Sequence, residues 1–260
     1  MSESVHKAFE LLRVIGRSGM PMNLAEIAAE TGQNKATLLR YLKSLTEVGA
    51  LEKRDGAYTL GLGLSELAAQ VPVRDAVIMR LMPTLEKLRD IAHESSSLAL
   101  LQDGRILYAA VLPATHSLRI SARAGDSLPL HCSASGRAIL AALPESEAAA
   151  LLAGSEFSEL TPHTITNPSV VGRMVEEARR TGIAHDKEEV ETGLVCIATA
   201  LRIEVLHTAV ALSVSGPANR LGEERLLELS EALLDVRQEA AALLEGGGLG
   251  LAREMTGGRV

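Results

Sequence analysis

The sequence predicts an α+β protein in two parts, a small helical region followed by a larger mixed one. Three observations carry this. Through roughly the first fifty residues, apolar side chains recur only at helical spacing, with glycines between the runs. From Ser96 onward, strand-like runs alternate with helix-like ones. The length of 260 residues is ample for two cores.

Charge supports the division. The net charge is −7, yet residues 1–70 carry eight Lys/Arg and eight Asp/Glu, so the whole acidic excess lies downstream. Residues 33–54 hold five basic side chains against two acidic ones. A local patch of this kind, rather than the global sum, governs contact with phosphates. The absence of Trp, with only 3 Tyr and 2 Phe, leaves little for stacking single-stranded bases. There is no run of about 18 uncharged apolar residues, and the start "MSESVHKAFELL" lacks a signal-peptide core. Cys132 and Cys196 are too few for a disulfide scaffold or a Cys-x-x-Cys zinc site. A cytoplasmic protein without membrane contact, metal or cofactor is expected.

The elements follow in order. "SVHKAFELLRVIGRSG" places Val5, Ala8, Leu11, Leu12 and Ile15 at helical period, with a stop at Gly16 to Gly19. In "NLAEIAAETG", Asn23 is a candidate N-cap with Glu26 three residues on, and Leu24, Ile27 and Ala28 face inward. Gly32 then turns the chain into "GQNKATLLRYLKSL". Unrolled at about 100° per residue, this third helix puts Leu38, Leu42, Leu45 and Val48 on one side. Gln33, Ala36, Thr37, Arg40, Lys43, Ser44 and Glu47 lie opposite, with Lys35 on a flank. "ALEKRDGAYTLG" reads as a hairpin turning at Asp55-Gly56.

A single basic amphipathic helix is ordinarily a solvated surface helix. Helix, helix, glycine turn, basic helix and hairpin, in that order, describe a winged helix-turn-helix instead. On that reading Gln33, Thr37 and Arg40 reach base edges in double-stranded DNA, while Lys35, Lys43, Lys53 and Arg54 hold phosphates.

The expected domains are 1–70, a helical linker 71–93 and an α+β domain 94–246, with 247–260 a flexible tail. "AVIMRLMPTLEKLRDIAHE" is helical with an interruption expected at Pro83. "SLALL", Asp103-Gly104 and "ILYAAV" form a hairpin, and "LRISAR" is the next strand. "SASGRAILAAL" and "PSVVGRMVEEARRTG" are helices, "VCIATALRI" and "TAVALSVSG" are strands, and a long helix closes the domain. The helices are expected to pack on one side of the strands.

Three features here suit a ligand. Ser213 and Ser215, two apart on a strand, present both hydroxyls to one face. Small residues from Ser133 to Gly136 open a helix whose first N–H groups favour an anion, or are simply capped by Ser133 or Ser135. Asp186 and Cys196 stand near strand ends, although a lone cysteine is more often a small buried hydrophobe.

Together, "AGDSLPLHCSASGRAILA", "GIAHDKEEVETGLVCIATAL" and "ALSVSGPANRL", behind the winged helix, resemble the IclR family of bacterial transcription regulators over roughly residues 5–245. The resemblance implies a homodimer or dimer of dimers, operator DNA as partner, and a GAF-like C-terminal domain that binds a small organic or aromatic acid. It places effector contacts near Leu118, at Ala134 and Ser135, at Asp186, at Leu194 and Cys196, and at Ser213 and Ser215. Ala36-Thr37 stands where the family usually has Ser-Thr, and Leu39 where His or Tyr is common. Ser135 stands at a position often held by a smaller or apolar residue.

Two rival functions compete with this one. A metal-responsive regulator would use some of His131, Cys132, His185 and Cys196, which lack ligand spacing. A cysteine-dependent enzyme would need Cys196 with His185 and Asp186, but adjacent residues diverge on a strand. Neither is preferred, and no enzymatic activity is expected.

Overall fold

A computed structural model of the chain describes residues 3–69, 73–114, 116, 122–204, 208–245 and 252–253. It divides into two compact units, Met1–Val73 and Arg74–Val260. The strand expected at "LRISAR" falls largely on residues 117–121, and the tail largely on 246–251 and 254–260, outside the described residues.

The first unit runs α1 (Glu3–Ser18), β1 (Met22–Asn23), α2 (Leu24–Thr31), α3 (Lys35–Glu47), β2 (Leu51–Arg54), β3 (Ala57–Leu60) and α4 (Leu62–Ala69). Asn23 caps α2 reciprocally. Its side chain accepts from the N–H groups of Ala25 and Glu26, and the Glu26 carboxylate accepts from the Asn23 N–H at 2.7 Å. Gly32, in the left-handed region at φ 65°, ends α2. Leu11, Ile27, Leu38, Leu42 and Tyr58 meet in the core between the helices and a small sheet ordered β1-β3-β2. Asp55 and Gly56, with φ 51° and 82°, make the tight turn that pairs Arg54 with Ala57 and Lys53 with Tyr58.

One inward assignment in this unit is corrected: Val48 lies past the last turn of α3 and is 72 % exposed.

The second unit comprises α5 (Val73–Ala92), β4 (Ser95–Gln102), β5 (Arg105–Leu112), β6 (Ser127–Pro129), α6 (Ala134–Ala142), α7 (Glu145–Ala153) and α8 (Pro168–Thr181). It continues with β7 (Ala184–Lys187), β8 (Leu194–Ile203), β9 (Thr208–Pro217), α9 (Glu223–Glu245) and the two-residue β10 (Ala252–Arg253). The sheet is antiparallel in the order β10-β8-β9-β4-β5-β6, with β7 also paired to β8. Helix α5 runs through Pro83 without a break, contrary to expectation. Proline removes one bond of the ladder, but Leu81, Leu85 and Leu88 are fully buried on both sides of it and hold the helix as one packed rod.

Helices cover both faces of this sheet, not one. All nine residues of α6 are buried, and α6 and α8 contribute to a core with Ala99, Ala198 and Ala211. Ser96, out of phase with Ser95 and Ser97, donates instead to the Leu85 carbonyl of α5 at 2.9 Å. Period-two alternation therefore places α5 behind the sheet and α6 in front.

Candidate functional site

In the first unit, α3 presents Lys35, Arg40 and Lys43 to solvent, and Thr37 is half-buried on the same helix. Arg40 lies over the Tyr41 ring at 5.5 Å, and Lys43 pairs loosely with Glu47 at 3.8 Å. On the hairpin, Lys53 sits 5.2 Å from the centre of the Tyr58 ring, and Arg54 bonds to Glu52 at 2.9 Å. Gln33 departs from expectation. It precedes the N-cap Asn34, so it lies in the turn rather than on the helix, and it is half-buried with an Oε1 that has no hydrogen-bond partner among the described residues. The helix begins at Lys35 because the Asn34 side chain takes the Ala36 N–H at 2.8 Å.

In the second unit, strand register builds a polar row across four strands. Asp186 on β7 lies opposite Cys196 on β8, Cys196 opposite Ser215 on β9, and Ser215 opposite Ser95 on β4. All four line a cavity of about 180 Å³, together with Ser133, Ala134 and Ser135 at the start of α6. Val111, Ala122, Leu128 and Leu194 give the same cavity an apolar portion.

Ser133 caps α6. Its hydroxyl accepts from the Gly136 N–H at 3.1 Å and donates to the Pro129 carbonyl at 2.7 Å. The capping expected of Ser133 is therefore present. The cap takes the Gly136 N–H, while the Ala134 and Ser135 N–H groups in the first turn have no preceding turn to bond to. Gly136 is required here, since a Cβ would stand 2.4 Å from the Leu130 carbonyl oxygen.

The charged side chains among the described lining residues are Asp126, Asp186 and Glu191. Asp186 is 1 % exposed, and its Oδ1 accepts from the Glu189 N–H at 2.8 Å while Oδ2 has no hydrogen-bond partner among the described residues. Burial foremost, with the charge of Glu189 adding to it, pushes its carboxyl up to about 7. Burial raises the Cys196 thiol above the ordinary range, with the Asp186 charge adding, and pushes Cys132 up to about 12. Both sulfurs are thus held as thiols, which make poor nucleophiles. The imidazole pKa of His185, one residue out of phase with Asp186, is lowered below its ordinary value, mainly by burial. Among the described residues, no three or more His, Cys, Asp and Glu side chains gather as a metal site.

Of the expected contacts, Ala134, Ser135, Asp186, Leu194, Cys196 and Ser215 line the cavity together. Ser213 stands apart from its lining, with its hydroxyl 2.8 Å from that of Ser97, which is at the wall. Leu118 is outside the described residues. Sequence reasoning missed Ser95, Ser97 and Tyr108. A signal existed in "SSSLALL", whose serines two apart repeat the spacing of Ser213 and Ser215.

A winged helix-turn-helix followed by an α+β unit with an internal polar cavity is the layout of a DNA-binding regulator. The pattern described as IclR helix-turn-helix domain matches residues 4–55, and that described as bacterial transcriptional regulator IclR C-terminal matches residues 70–242. The chain belongs to the IclR family of bacterial transcriptional regulators. It is 27 % identical to the HTH-type transcriptional repressor AllR of Escherichia coli K12 over 246 residues, 94 % of this chain and 90 % of that one. It is similar to the crystal structure of an IclR transcriptional regulator from Silicibacter sp. TM1040, with TM-score 0.71 and 25 % identity over 97 % of this chain and 98 % of the other. The fold also matches an IclR homologue from Microbacterium hydrocarbonoxydans, solved as a complex with 4-hydroxybenzoate, with TM-score 0.56 and 24 % identity over 92 % and 100 % of the two chains. Among the described residues, no helix is long and apolar enough to cross a membrane.

Proposed function

We propose that this regulator binds operator DNA through α3 and the β2–β3 hairpin, and that a small carboxylate in the cavity of the second unit sets its operator affinity. The observation that carries the reading is the polar row from Asp186 to Ser95, which meets the start of α6 in one cavity. Helix N-termini favour anions, and hydroxyls on the row can donate to the same group. A cavity of about 150 Å³ accommodates benzene, so about 180 Å³ suits an acid with one ring or a chain of similar bulk. The apolar portion would receive that body.

Thr37 and Arg40 are assigned to base edges, and Lys35, Lys43, Lys53 and Arg54 to phosphates. Gln33 is assigned to the approach of the turn rather than to direct readout, because it precedes the helix. Two copies are needed to read successive half-sites, so a homodimer or dimer of dimers, working in the cytoplasm, completes the reading. No catalytic role is assigned, since both cysteines are held as thiols. The test is a thermal-shift screen with benzoate, 4-hydroxybenzoate and short aliphatic acids, followed by gel shifts on selected operator DNA. A binder that raises the melting point and changes operator affinity supports the reading. A screen in which no acid does either sinks it.

A further inference from the structure

Three separate segments make one side of the cavity: the start of α6 with Ser133 to Ser135, strand β7 with Asp186, and the β7–β8 loop with Val190 and Glu191. One side chain bonds to each segment or to the residues beside it. Arg137, on the first turns of α6, is 1 % exposed despite its charge. Its Nε donates to the His131 carbonyl at 2.8 Å, its Nη1 to the His185 carbonyl at 2.5 Å, and its Nη2 to the Glu189 carboxylate. Glu189 passes the constraint on, because its N–H holds Asp186 Oδ1 at 2.8 Å.

We propose that Arg137 is a positioning residue for the effector cavity, a clamp that fixes β7 and the β7–β8 loop against the start of α6. A buried ion pair is weak grounds for stability, since well-packed apolar side chains would serve as well or better. What an apolar side chain cannot supply is a planar fork that reaches two carbonyls and a carboxylate in fixed directions. Two threonines also grip the loop, Thr161 on the Glu188 carbonyl at 2.7 Å and Thr164 on the Glu189 carbonyl at 2.6 Å. Arg137 alone among these carries the tie to α6. The role rests on the cavity being the effector site, but the clamp can be tested without an effector.

The experiment uses the full chain and follows alkylation of Cys196, a wall residue, by iodoacetamide, with peptide mass spectrometry identifying the site. The variants are Arg137→Met and the double variant Arg137→Met with Glu189→Met. The single variant leaves a buried carboxylate unpaired and lowers the melting point; the double removes that charge and restores most of it. Positioning predicts that Cys196 labels about tenfold faster in both, as local opening becomes more frequent, even where the melting point has recovered. A purely structural role predicts that labelling follows the melting point. A double variant with wild-type labelling, or no increase in either variant, overturns the clamp. Failure of every acid to bind the wild-type chain would instead sink the effector reading, while the labelling rates still decide on the clamp.

Discussion

Asp186 and Cys196 face each other across the β7–β8 ladder, and both line the cavity. The Asp186 carboxyl has one oxygen held by the Glu189 N–H and the other without a hydrogen-bond partner among the described residues. With its pKa at about 7, the protonation of this group changes within the ordinary working range. An anionic acid is admitted more readily when Asp186 is neutral. Its affinity should therefore fall as pH rises above about 7, approaching tenfold per pH unit. Asp186→Asn should flatten the profile in calorimetric titrations between pH 6 and pH 9. An equally steep profile in the variant would remove Asp186 as the cause.

The same group makes a prediction for stability. A carboxyl raised from 3.8 to about 7 by folding favours the protonated native state. Its contribution is fully present below about pH 4 and is lost as pH rises through about 7. The melting point of Asp186→Asn relative to the wild type should therefore climb between pH 5 and pH 8. Each pH unit in that window changes the balance by at most about 1.4 kcal/mol, so a rise of several degrees is expected.

Ser213 and Ser215 should behave differently although they share a strand face. Ser215→Ala removes a hydroxyl from the cavity wall and should weaken an acid's binding roughly tenfold, with little change in melting point. Ser213→Ala breaks the bond to Ser97 and should cost about 1 kcal/mol of stability, with a smaller effect on binding. Thermal unfolding with and without the ligand separates the two outcomes.

On the DNA side, Arg40→Ala should weaken binding to a selected operator by about 1–3 kcal/mol and relax preference at one base position. Lys53→Ala should weaken all sequences alike and reduce the salt slope by about 1. Competition gel shifts at two salt concentrations measure both. Unchanged specificity in the Arg40 variant would move the reading face away from this side of α3.

Gly136→Ala should be among the most damaging small substitutions in the second unit. The added methyl would meet the Leu130 carbonyl oxygen at 2.4 Å, the Leu130 Cα at 2.6 Å and the Ser133 hydroxyl at 2.7 Å. Backbone must move to admit it, so a loss of about 1–3 kcal/mol is expected in chemical denaturation, together with loss of the Ser133 cap.

What the sequence disclosed was mostly local chemistry. The Asn23–Glu26 cap, the Gly32 turn after α2 and the Asp55-Gly56 turn are each written in a few adjacent residues. Strand β1 is only two residues long and exists by pairing with β3, so no periodicity announces it. Helix α7, "ESEAAALLA", is too uniform in alanine to show a face. Half of the cavity was equally hidden. Ser95 joins Ser215 only through the β4–β9 register, a fact that lies between two strands and in neither. Pro83 misled because propensity forecasts a break, while burial of its neighbours preserved the helix.

The ladder of Asp186, Cys196, Ser215 and Ser95 also limits how such a sensor can change its taste. Each rung belongs to a different strand, so any one can be exchanged while the other three keep their aim. Losing or gaining a single residue inside a strand would instead swing its rung to the back of the sheet, toward α5. Descendants of this protein that answer to new molecules should thus differ by point replacements along that column, with length changes confined to turns such as Asp103-Gly104.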